Sequence, residues 1–544
     1  MTMLPVKFEN LSGSTKLFLD FINCSGSACK FYKNSFRDLE SYKKVAESID
    51  GHPYNRAELA MLLRQALEPL NPSQRIKENI GKLARPDSLV VFAGQQVGML
   101  LGPMYTVIKA LTAYKIASRL ESELKRPVVP CFWMATDDHD FDEVRTVSLL
   151  NRAGECENII YVPQSEPDGI PMADVVLEKG IDDFLSEVEN HLVNTEFSES
   201  LKETVRAGYR TDRPLAEAFS LLFMHLLGEF GVIPVDPNYP GMKGIMAPVF
   251  EAELINHAEI FDLFEKRSVE IIDAGYHRQV HKTGESLNLF VNDEGRRNVI
   301  VENGRYRLDG REELLSKDEL LGVLRVSPEK FSPNVCLRPV AQCYAFPTVC
   351  QIVGPSEAAY FAQIQPIYEY LKIPWPVIRP RVFASIIEPH IGKLMRKLSI
   401  DFSLLYRDAE HEVSRVIKEN FPPEIQERAE SLRSAIVKPL SDLSDSLKDT
   451  DPESVQALEH AKKRIDHELN HLSKRLFAAH KKRHDTTKDQ VYRAAGFLIP
   501  EGKFQERVIS PIYFADKFGP AIFDKMESEI DIDFVGHQLI EIRN

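Results

Sequence analysis

Residues 88–96 read SLVVFAGQQ, a short apolar run rich in β-branched side chains that ends in a glycine and two glutamines. Residues 127–135, PVVPCFWMA, form a second apolar run, which is followed by the polar sequence TDDHD. A helical pattern that opens at Gly102–Pro103 and extends to about Leu120 separates the two runs. Because both runs are apolar on every face and a helix joins them, the sequence predicts parallel strands in an α/β core.

Two later segments extend this core. Residues 349–353 (VCQIV) predict a third strand followed by a helix, and residues 377–383 (VIRPRVF) predict a fourth strand. The stretch between them and the first half is long for a crossover, so we interpret most of it as an insertion. The predicted organisation is an N-terminal helical segment packing on the core (1–87), the first half of the core (88–150), an inserted connecting subdomain (151–330), the second half of the core (331–400), a coiled-coil helical arm (401–490) and a C-terminal segment returning to the core (491–544).

The predicted arm has a different residue pattern. Positions in alternating three- and four-residue steps carry the apolar side chains Val455, Leu458, Ile465, Leu469, Leu472, Leu476 and Ala479, and only Lys462 interrupts the series. This is the seam of a coiled coil, and a looser apolar stripe runs upstream from Ile425 to Leu447. Residues 449–452 predict the turn between them, with Asp451 as N-cap. We therefore expect a long antiparallel helical hairpin. It packs on its own chain, forms a lid over the site or, as we favour, mediates a homodimer.

The composition limits the classes of function. The chain has 544 residues and a formal net charge of −14, which disfavours nucleic acid and anionic membranes as partners. No apolar run approaches the roughly 20 residues of a membrane-spanning helix, and residues 1–10 lack the pattern of a secretion signal. Seven cysteines in a chain of this length predict neither a disulfide scaffold nor a zinc site. We expect a cytoplasmic protein that acts on small molecules.

Polar residues follow the carboxyl ends of the predicted strands, where ligands bind in an open parallel sheet. The first end is the glycine-rich turn 94–98 (GQQVG), which leads to Gly102 and a helix whose N-terminus offers N–H groups to an anion. The second end is 137–140 (DDHD), which suits a substrate ammonium, a divalent metal or an Asp–His proton-transfer pair. Alternatively, the turn binds nothing and the acids only decorate a helix N-terminus.

The other two strand ends carry a hydroxyl and two arginines. The third end, 354–357 (GPSE), opens a helix, and the fourth carries Arg379 and Arg381, which suit phosphate or carboxylate recognition or form structural salt bridges. Since all four ends open onto one edge of a parallel sheet, they predict one shared pocket. Its expected lining includes Gln95, Asp138, His139, Ser356 and Arg381. An anion is expected nearest Arg381 and the helix opened by Gly102.

Four blocks of the sequence contain long and unusual residue combinations. They are residues 93–109 (AGQQVGMLLGPMYTVIK), 130–144 (PCFWMATDDHDFDEV), 331–361 (FSPNVCLRPVAQCYAFPTVCQIVGPSEAAYF) and 376–391 (PVIRPRVFASIIEPHI). In order and spacing they resemble the signature blocks of the bacillithiol-biosynthesis cysteine-adding enzyme family, and the resemblance covers essentially the whole chain. It implies a Rossmann-like core of the class I synthetase and nucleotidyltransferase kind, inserted connecting segments, and a coiled-coil domain that supports a dimer.

The resemblance also implies an activity. It implies a cytoplasmic ligase that joins the carboxyl group of cysteine to the amine of glucosaminyl-malate, the last step in making the low-molecular-weight thiol bacillithiol. A carboxylate is a poor acyl donor, so ATP is expected to activate it, most simply as an acyl-adenylate, and no metal other than Mg²⁺ is expected. The chain departs from class I synthetases because their His-x-Gly-His and Lys-Met-Ser-Lys motifs are absent. In the region where the Lys-Met-Ser-Lys loop is expected, the basic residues are Lys393, Arg396 and Lys397.

The candidate site residues have three expected roles. Asp138, His139 and Asp140 are the catalytic candidates, because they can hold the cysteine ammonium or accept the proton of the attacking amine. The substrate-binding candidates are Gln95, Gln96, Gly98, Ser356, Glu357, Arg379 and Arg381. The nucleotide-binding candidates are Gly94, Gly102 and Lys393.

Two functions from other classes stay open at this point. A metal-dependent hydrolase or transferase would use the acidic cluster at 137–140 as its metal site. A coiled-coil scaffold protein would use the sheet only to bind a ligand. Both alternatives share the predicted fold, so the distinction depends on the geometry of the site.

Overall fold

The computed structural model describes residues 5–11, 13–419, 423–447, 452–483 and 485–542. These residues form two compact units. The first unit comprises Thr2–Ile386 and Lys503–Ile540, and the second comprises Ile387–Gly502 and the residues from Glu541. Most of the C-terminal segment is therefore part of the first unit.

The strands provide the framework of the first unit. In chain order they are β1 (Leu89–Gln95), β2 (Val128–Met134), β3 (Thr146–Leu150), β4 (Cys156–Ile160), β5 (Ile233–Val235), β6 (Ser286–Asn292), β7 (Arg296–Glu302), β8 (Arg305–Leu308), β9 (Leu314–Leu315), β10 (Phe331–Pro333), β11 (Thr348–Val353), β12 (Val377–Pro380), β13 (Phe383–Ile387) and β14 (His537–Glu541).

Helices make up much of the rest of the chain. In chain order they are α1 (Lys16–Ile22), α2 (Leu39–Asp50), α3 (Arg56–Leu67), α4 (Gln74–Leu83), α5 (Tyr105–Leu124), α6 (Phe141–Val144), α7 (Gly180–His191), α8 (Ser198–Gly208), α9 (Leu215–Leu227), α10 (Met242–Asp273), α11 (Lys317–Val326), α12 (Arg338–Ala345), α13 (Pro355–Tyr370), α14 (Pro389–Leu398), α15 (Phe402–Arg407), α16 (Ala409–Glu419), α17 (Pro423–Leu447), α18 (Pro452–Arg483), α19 (Asp485–Leu498), α20 (Pro511–Phe518) and α21 (Ala521–Glu529). Within the described residues, none of these helices has the length and apolarity to cross a membrane.

Five strands form a parallel sheet in the order β12–β11–β1–β2–β5. The central strand, β1, is fully buried from Leu89 to Ala93, and every residue of β2 is buried. Helices and loops cover both faces of these strands, which is why their sequences are continuously apolar. The predicted Rossmann-like α/β core is confirmed.

The segment 151–330 contributes to this sheet as well as to an insertion. Its strand β5 pairs with β2 and forms one edge of the parallel sheet. The segment also supplies most of an antiparallel sheet in the order β10–β6–β7–β8–β9, against which α10 packs. Sequence reasoning missed β5 because a strand of three residues is too short to give a periodic signal.

The N-terminal helical segment packs on the core through aromatic side chains. The rings of Phe8 and Phe18 both lie against Phe383, with centroid separations of 4.7 and 6.0 Å. Tyr32 donates a hydrogen bond of 2.7 Å to the carbonyl of Ala358 on α13. These contacts tie the segment to the second half of the sheet domain.

The helical arm belongs to the second unit. α17 and α18 pack along each other, and Ser444 contacts Glu459 while Arg433 pairs with Asp466. Ser444 follows Arg433 in α17, whereas its partner Glu459 precedes Asp466 in α18. The two helices are therefore antiparallel. The predicted coiled-coil hairpin is confirmed, although its turn at 448–451 and the side chain of Ala479 lie outside the described residues.

Several leucines of the hairpin are only partly covered by the facing helix. The exposed side chains include Leu432, Leu443, Leu472 and Leu476, at 46%, 48%, 46% and 40% exposure. Leu472 and Leu476 belong to the predicted seam, so the hairpin alone does not bury the whole seam. An exposed apolar stripe of this kind is typical of a surface that packs against another chain.

We expect the double substitution Leu472→Glu and Leu476→Glu to shift the proposed homodimer to a monomer. Two carboxylates on this stripe would have to be desolvated without a counter-charge in the dimer. The molar mass from light scattering after size-exclusion chromatography measures the shift. Val326→Glu is the control, because Val326 is 84% exposed in the first unit and lies far from the hairpin in sequence. A double variant that keeps the dimer mass would show that this stripe does not mediate assembly.

Candidate active site

A cavity of about 760 Å³ opens at the carboxyl ends of β1, β2 and β11. Gly94 and Gln95 end β1, Ala135 follows β2, and Gly354 follows β11, and all four border the cavity. Parallel strands bring these ends to one edge of the sheet, as the sequence predicts. The predicted site residues that line the cavity are Gly94, Gln95, Gln96, Asp138, Ser356, Glu357 and Arg381.

Other predicted residues lie outside the cavity wall. Asp140 is exposed and caps the short helix α6 by accepting the N–H of Glu143. Gly98 and Gly102 pack against each other, and a Cβ on Gly98 would lie 2.9 Å from the Gly102 Cα. The expected placement of the Gly102 turn at the pocket is therefore wrong, because its glycines permit close backbone packing instead. Lys393 is exposed on α14, in the second unit, and does not line the cavity.

Arg379 does not reach the cavity either, contrary to expectation. Its guanidinium donates to the carbonyl of Phe36 at 2.7 Å and to the hydroxyl of Tyr42 at 3.0 Å, and it lines a separate cavity of about 200 Å³. Arg379 lies within the edge strand β12, which packs against α2. Arg381 comes after the strand has ended, so the regular alternation of side chains no longer relates the two arginines.

Carboxylates form the end of the cavity that follows β2. Nε2 of Gln96 donates to Asp138 at 2.7 Å and to Glu143 at 2.6 Å, so the first strand end holds two acids of the second. His139 lies beside them but does not line the cavity, contrary to expectation. Its Nδ1 is 3.3 Å from a guanidinium nitrogen of Arg296 on β7. Because a guanidinium only donates, the imidazole Nδ1 accepts, and a neutral His139 carries its proton on Nε2.

A buried polar network supports this acidic end. Lys243 and Asn238 both donate to Oδ1 of Asp137. The residue Asp137 is 8% exposed. Asn238 also donates to the hydroxyl of Thr136 at 2.9 Å, and that hydroxyl donates to Asp236. Burial raises the pKa of the Asp236 carboxyl to about 6. Sequence reasoning gave no signal for Lys243 or Asp236, because only the tertiary fold brings them to this strand end.

Lys109 of α5 organises the opposite part of the cavity. Its ammonium donates to the carbonyl of Gly94 at 2.9 Å, to Oε1 of Gln95 at 3.0 Å and to Glu357 at 2.8 Å. Glu357 also accepts the N–H of Gly354 at 2.6 Å, at the start of α13. The buried lysine therefore joins the end of β1 to the turn that follows β11.

The ion pair between Lys109 and Glu357 is shaped by burial and by mutual attraction. Burial lowers the pKa of Lys109, although Glu357 acts in the opposite direction. Burial acts to raise the pKa of Glu357, but Lys109 and the Gly354 N–H outweigh it and hold that pKa below its ordinary value. Glu357 is therefore ionised at neutral pH and serves as a fixed counter-charge to the lysine.

Arg381 lines the cavity but its charge is already neutralised. Its guanidinium pairs with the buried Glu506 at 2.6 Å and donates to the carbonyl of Val382 at 2.8 Å. The guanidinium also lies 3.9 Å from the ring centroid of Phe383. Of the two outcomes that the sequence left open for this arginine, the structure shows the buried salt bridge.

Besides Arg296, two further arginines border the cavity, and sequence reasoning missed all three. Arg338 donates to the hydroxyl of Tyr360 at 3.1 Å and to Gln342 at 3.1 Å. Arg507 is exposed, and its side chain forms no hydrogen bond or ion pair with any described residue. Arg507 lies in the C-terminal segment, where no motif distinguishes it from other surface arginines. Its position at the site results from the return of that segment to the sheet domain.

Comparison with known families adds an independent observation. Residues 1–382 match the family described as Bacillithiol biosynthesis BshC, N-terminal Rossmann-like domain, and residues 384–542 match the C-terminal coiled-coil domain of the same family. The chain therefore belongs to the BshC family. This agrees with the resemblance of the four sequence blocks, two of which contain the ends of β1 and β2.

Relatives within the BshC family match over nearly their whole length. Proteins from Koribacter versatilis, Salinibacter ruber and Solibacter usitatus are 31%, 28% and 27% identical, over 96%, 97% and 99% of this chain and 97%, 96% and 99% of the relatives. Each carries the name "Putative cysteine ligase BshC". A solved structure from Campylobacter jejuni, described as a putative arginyl tRNA synthetase, matches with 10% identity and a TM-score of 0.23, which is too low to support an argument.

The acidic cluster at 137–140 of this BshC-family chain is not arranged as a metal site. Across the part of the chain that the structure describes, no group of three or more His, Cys, Asp or Glu side chains is arranged to hold a metal ion. The cluster at 137–140 is instead divided among separate roles. Asp137 joins the buried network, Asp138 lines the cavity, and Asp140 caps a helix.

We expect Asp236→Asn to change how stability depends on pH. Between pH 3.8 and about 6, folded Asp236 retains a proton that the unfolded chain has released, so its contribution to stability falls as pH rises. A shift of this size costs about 3 kcal/mol once the carboxylate is charged, and asparagine removes that cost. The melting temperature of the variant relative to wild type should therefore increase through this pH window.

Asp142→Asn serves as the control for this measurement, because the Asp142 side chain is 81% exposed. Its melting temperature relative to wild type should stay constant over the same window. A constant difference for Asp236→Asn as well would contradict the raised pKa.

Proposed function

We propose that this chain is an ATP-dependent ligase that joins the carboxyl group of cysteine to the amine of glucosaminyl-malate, producing bacillithiol. Membership of the BshC family and the names of full-length relatives support a ligase in bacillithiol biosynthesis. The choice of substrates rests on the resemblance of the sequence blocks and on the charges around the cavity. The cavity offers one place where both substrates can meet at the edge of the sheet.

The observation that carries the proposal is the opposite polarity of the two parts of this cavity. Asp138 and Glu143 line the part that follows β2, the N-terminus of α13 lines the part that follows β11, and Arg507 also borders the cavity. Cysteine carries an ammonium and a carboxylate, and glucosaminyl-malate carries an amine and two carboxylates. A cavity with acids at one end and donors at the other matches that distribution of charge.

The donor end fits an anionic group. Ser356 is exposed at the first turn of α13, and its hydroxyl forms no hydrogen bond with a described residue. The first N–H groups of a helix and the positive end of its dipole favour an anion. Arg507 adds a guanidinium with no hydrogen-bond or ion-pair partner among the described residues, whereas Lys109 has all three of its donors engaged. Ser356 and Arg507 would therefore hold the phosphates or the carboxylates.

ATP, when bound, supplies the leaving group that makes the cysteine carboxyl reactive towards an amine. The chain's own residues orient the partners and move the proton. Asp138 is positioned by Gln96 and lines the cavity, so we assign it the proton that the attacking amine releases. His139, with its proton on Nε2, acts as a hydrogen-bond donor beside Asp138, since Arg296 occupies its other nitrogen.

The reaction can be tested directly with purified protein. Cysteine, glucosaminyl-malate and ATP together should yield bacillithiol, detected by mass spectrometry after thiol labelling, and omission of any one component should abolish it. Release of AMP would indicate adenylation of the carboxyl, and release of ADP would indicate phosphorylation. Asp138→Asn should lower the rate by about a hundredfold or more, as expected for loss of a general base. Product formation without ATP would contradict the proposed activation.

Arg507→Ala should weaken the binding of the anionic ligand specifically. Loss of one charge-assisted hydrogen bond is expected to raise the KM for ATP or for glucosaminyl-malate by about tenfold or more. Arg75→Ala is the matched control, because Arg75 is a similarly exposed arginine at 58% side-chain exposure and does not line the cavity. Equal kinetic constants for the two variants would contradict a ligand-binding role of Arg507.

A further inference from the structure

We propose that Asp137 is the receptor for the α-ammonium group of the amino-acid substrate. This inference deepens the proposed function and rests on it for the identity of that amino acid. It also differs from the expectation at the level of sequence, which assigned the ammonium to the group Asp138, His139 and Asp140. The assignment depends on one unpaired oxygen and on the groups that hold the rest of the carboxylate.

Two buried polar atoms, each in a residue that lines the cavity, have no partner among the described residues. Oδ2 of Asp137 accepts no hydrogen bond, and the indole N–H of Trp133 donates none. Both residues line the cavity, and they are only 8% and 1% exposed. Because a buried polar atom without a partner is costly, each atom marks a place where a ligand group completes the site.

The geometry leaves Oδ2 as the oxygen of Asp137 without a partner. Oδ1 of Asp137 is held by the ammonium of Lys243 and by the amide of Asn238 at 3.2 Å, so the carboxylate cannot turn freely. Lys243 is itself buried at 3% exposure. The remaining oxygen is an acceptor in a low-dielectric wall, where a charged N–H donor binds more strongly than a neutral one.

Charges around Asp137 favour a cation. The carboxylates at this end of the cavity outnumber the cations that face them. The acids are Asp137, Asp138, Glu143 and Asp236, and the cations are Lys243 and Arg296. Burial raises the pKa of Asp236 to about 6, so this carboxyl is largely ionised at neutral pH. The excess negative charge attracts one more positive group.

Asp138 is less suited to this role. Its Oδ1 accepts the N–H of His139 at 2.8 Å and its Oδ2 accepts from Gln96 at 2.7 Å, so both of its oxygens already have partners. Asp138 is also more exposed, which suits a group that exchanges protons with the attacking amine.

The chemistry distinguishes the two amines of the proposed reaction. The attacking amine of glucosaminyl-malate must lose a proton, whereas the α-amino group of cysteine takes no part in bond formation and can stay charged. A buried carboxylate stabilises the protonated form of an amine. Asp137 therefore suits the spectator ammonium of cysteine, and Asp138 suits the nucleophile.

The test compares two ligands that differ in the ammonium alone, together with the second proposed substrate. Full-length protein is titrated calorimetrically with cysteine, with 3-mercaptopropionate, which lacks the ammonium, and with glucosaminyl-malate. Asp137→Asn should lower the affinity for cysteine by about tenfold or more, because an ion-paired hydrogen bond loses the charge of its acceptor. The affinities for the other two ligands should stay unchanged. Asp142→Asn, at an exposed carboxylate outside the cavity, should leave all three unchanged.

A second variant guards against misfolding, since Asp137→Asn leaves Lys243 buried without its counter-charge. The double variant Asp137→Asn and Lys243→Met removes both charges and should show the same selective loss of cysteine. The inference is overturned if the affinity for cysteine is unchanged, or if the affinities for cysteine and 3-mercaptopropionate fall equally. It is also overturned if the affinity for glucosaminyl-malate falls instead.

The same titrations separate this inference from the proposed function. If wild-type protein binds a different α-amino acid in place of cysteine, and Asp137→Asn weakens that ligand, the proposed substrate is wrong but the ammonium receptor stands. If wild-type protein binds no α-amino acid, the receptor is overturned as well. If cysteine binds through Asp137 but no bacillithiol forms, only the proposed reaction fails.

Discussion

The buried ammonium of Lys109 is the constraint on which the cavity depends. A charge in this environment requires several acceptors, and Lys109 finds them on the end of β1 and on Glu357 of α13. The same Glu357 fixes the backbone of Gly354, so one ion pair sets the distance between two strand ends. Without the lysine, the carbonyl of Gly94 and the carboxylate of Glu357 would face the cavity with no shared donor.

From this constraint follows the orientation of the glutamines. Lys109 engages the amide oxygen of Gln95, so the amide nitrogen is directed to the hydroxyl of Tyr105 at 3.1 Å. The next residue, Gln96, reaches the opposite way and holds Asp138. The glutamine pair therefore connects the two parts of the cavity, which differ in charge. This accounts for an otherwise unusual sequence at a strand end, in a chain that lacks the phosphate-binding motifs of class I synthetases.

The arginines show that location alone does not decide what a charge can do. Arg381 lines the cavity but is neutralised by Glu506, and Arg379 is engaged by backbone and tyrosine oxygens elsewhere. Arg507 has no such partner among the described residues, so its charge remains available to a ligand. The acidic end follows the same logic, because Asp140 caps a helix while Asp137 retains an unpaired oxygen. In both cases the groups that we propose to bind a ligand are those that the fold leaves incompletely paired.

The sequence by itself determined the parallel sheet, the coiled-coil hairpin and the edge at which the site forms, because apolar periodicity and strand ends are local signals. It placed Gln95, Gln96, Asp138 and Ser356 correctly at the cavity for the same reason. Only the tertiary structure decided which charges stay available. Lys243, Arg296, Glu506 and Arg507 arrive from distant segments, and pairing between them and the strand-end residues depends on distances that no local pattern encodes.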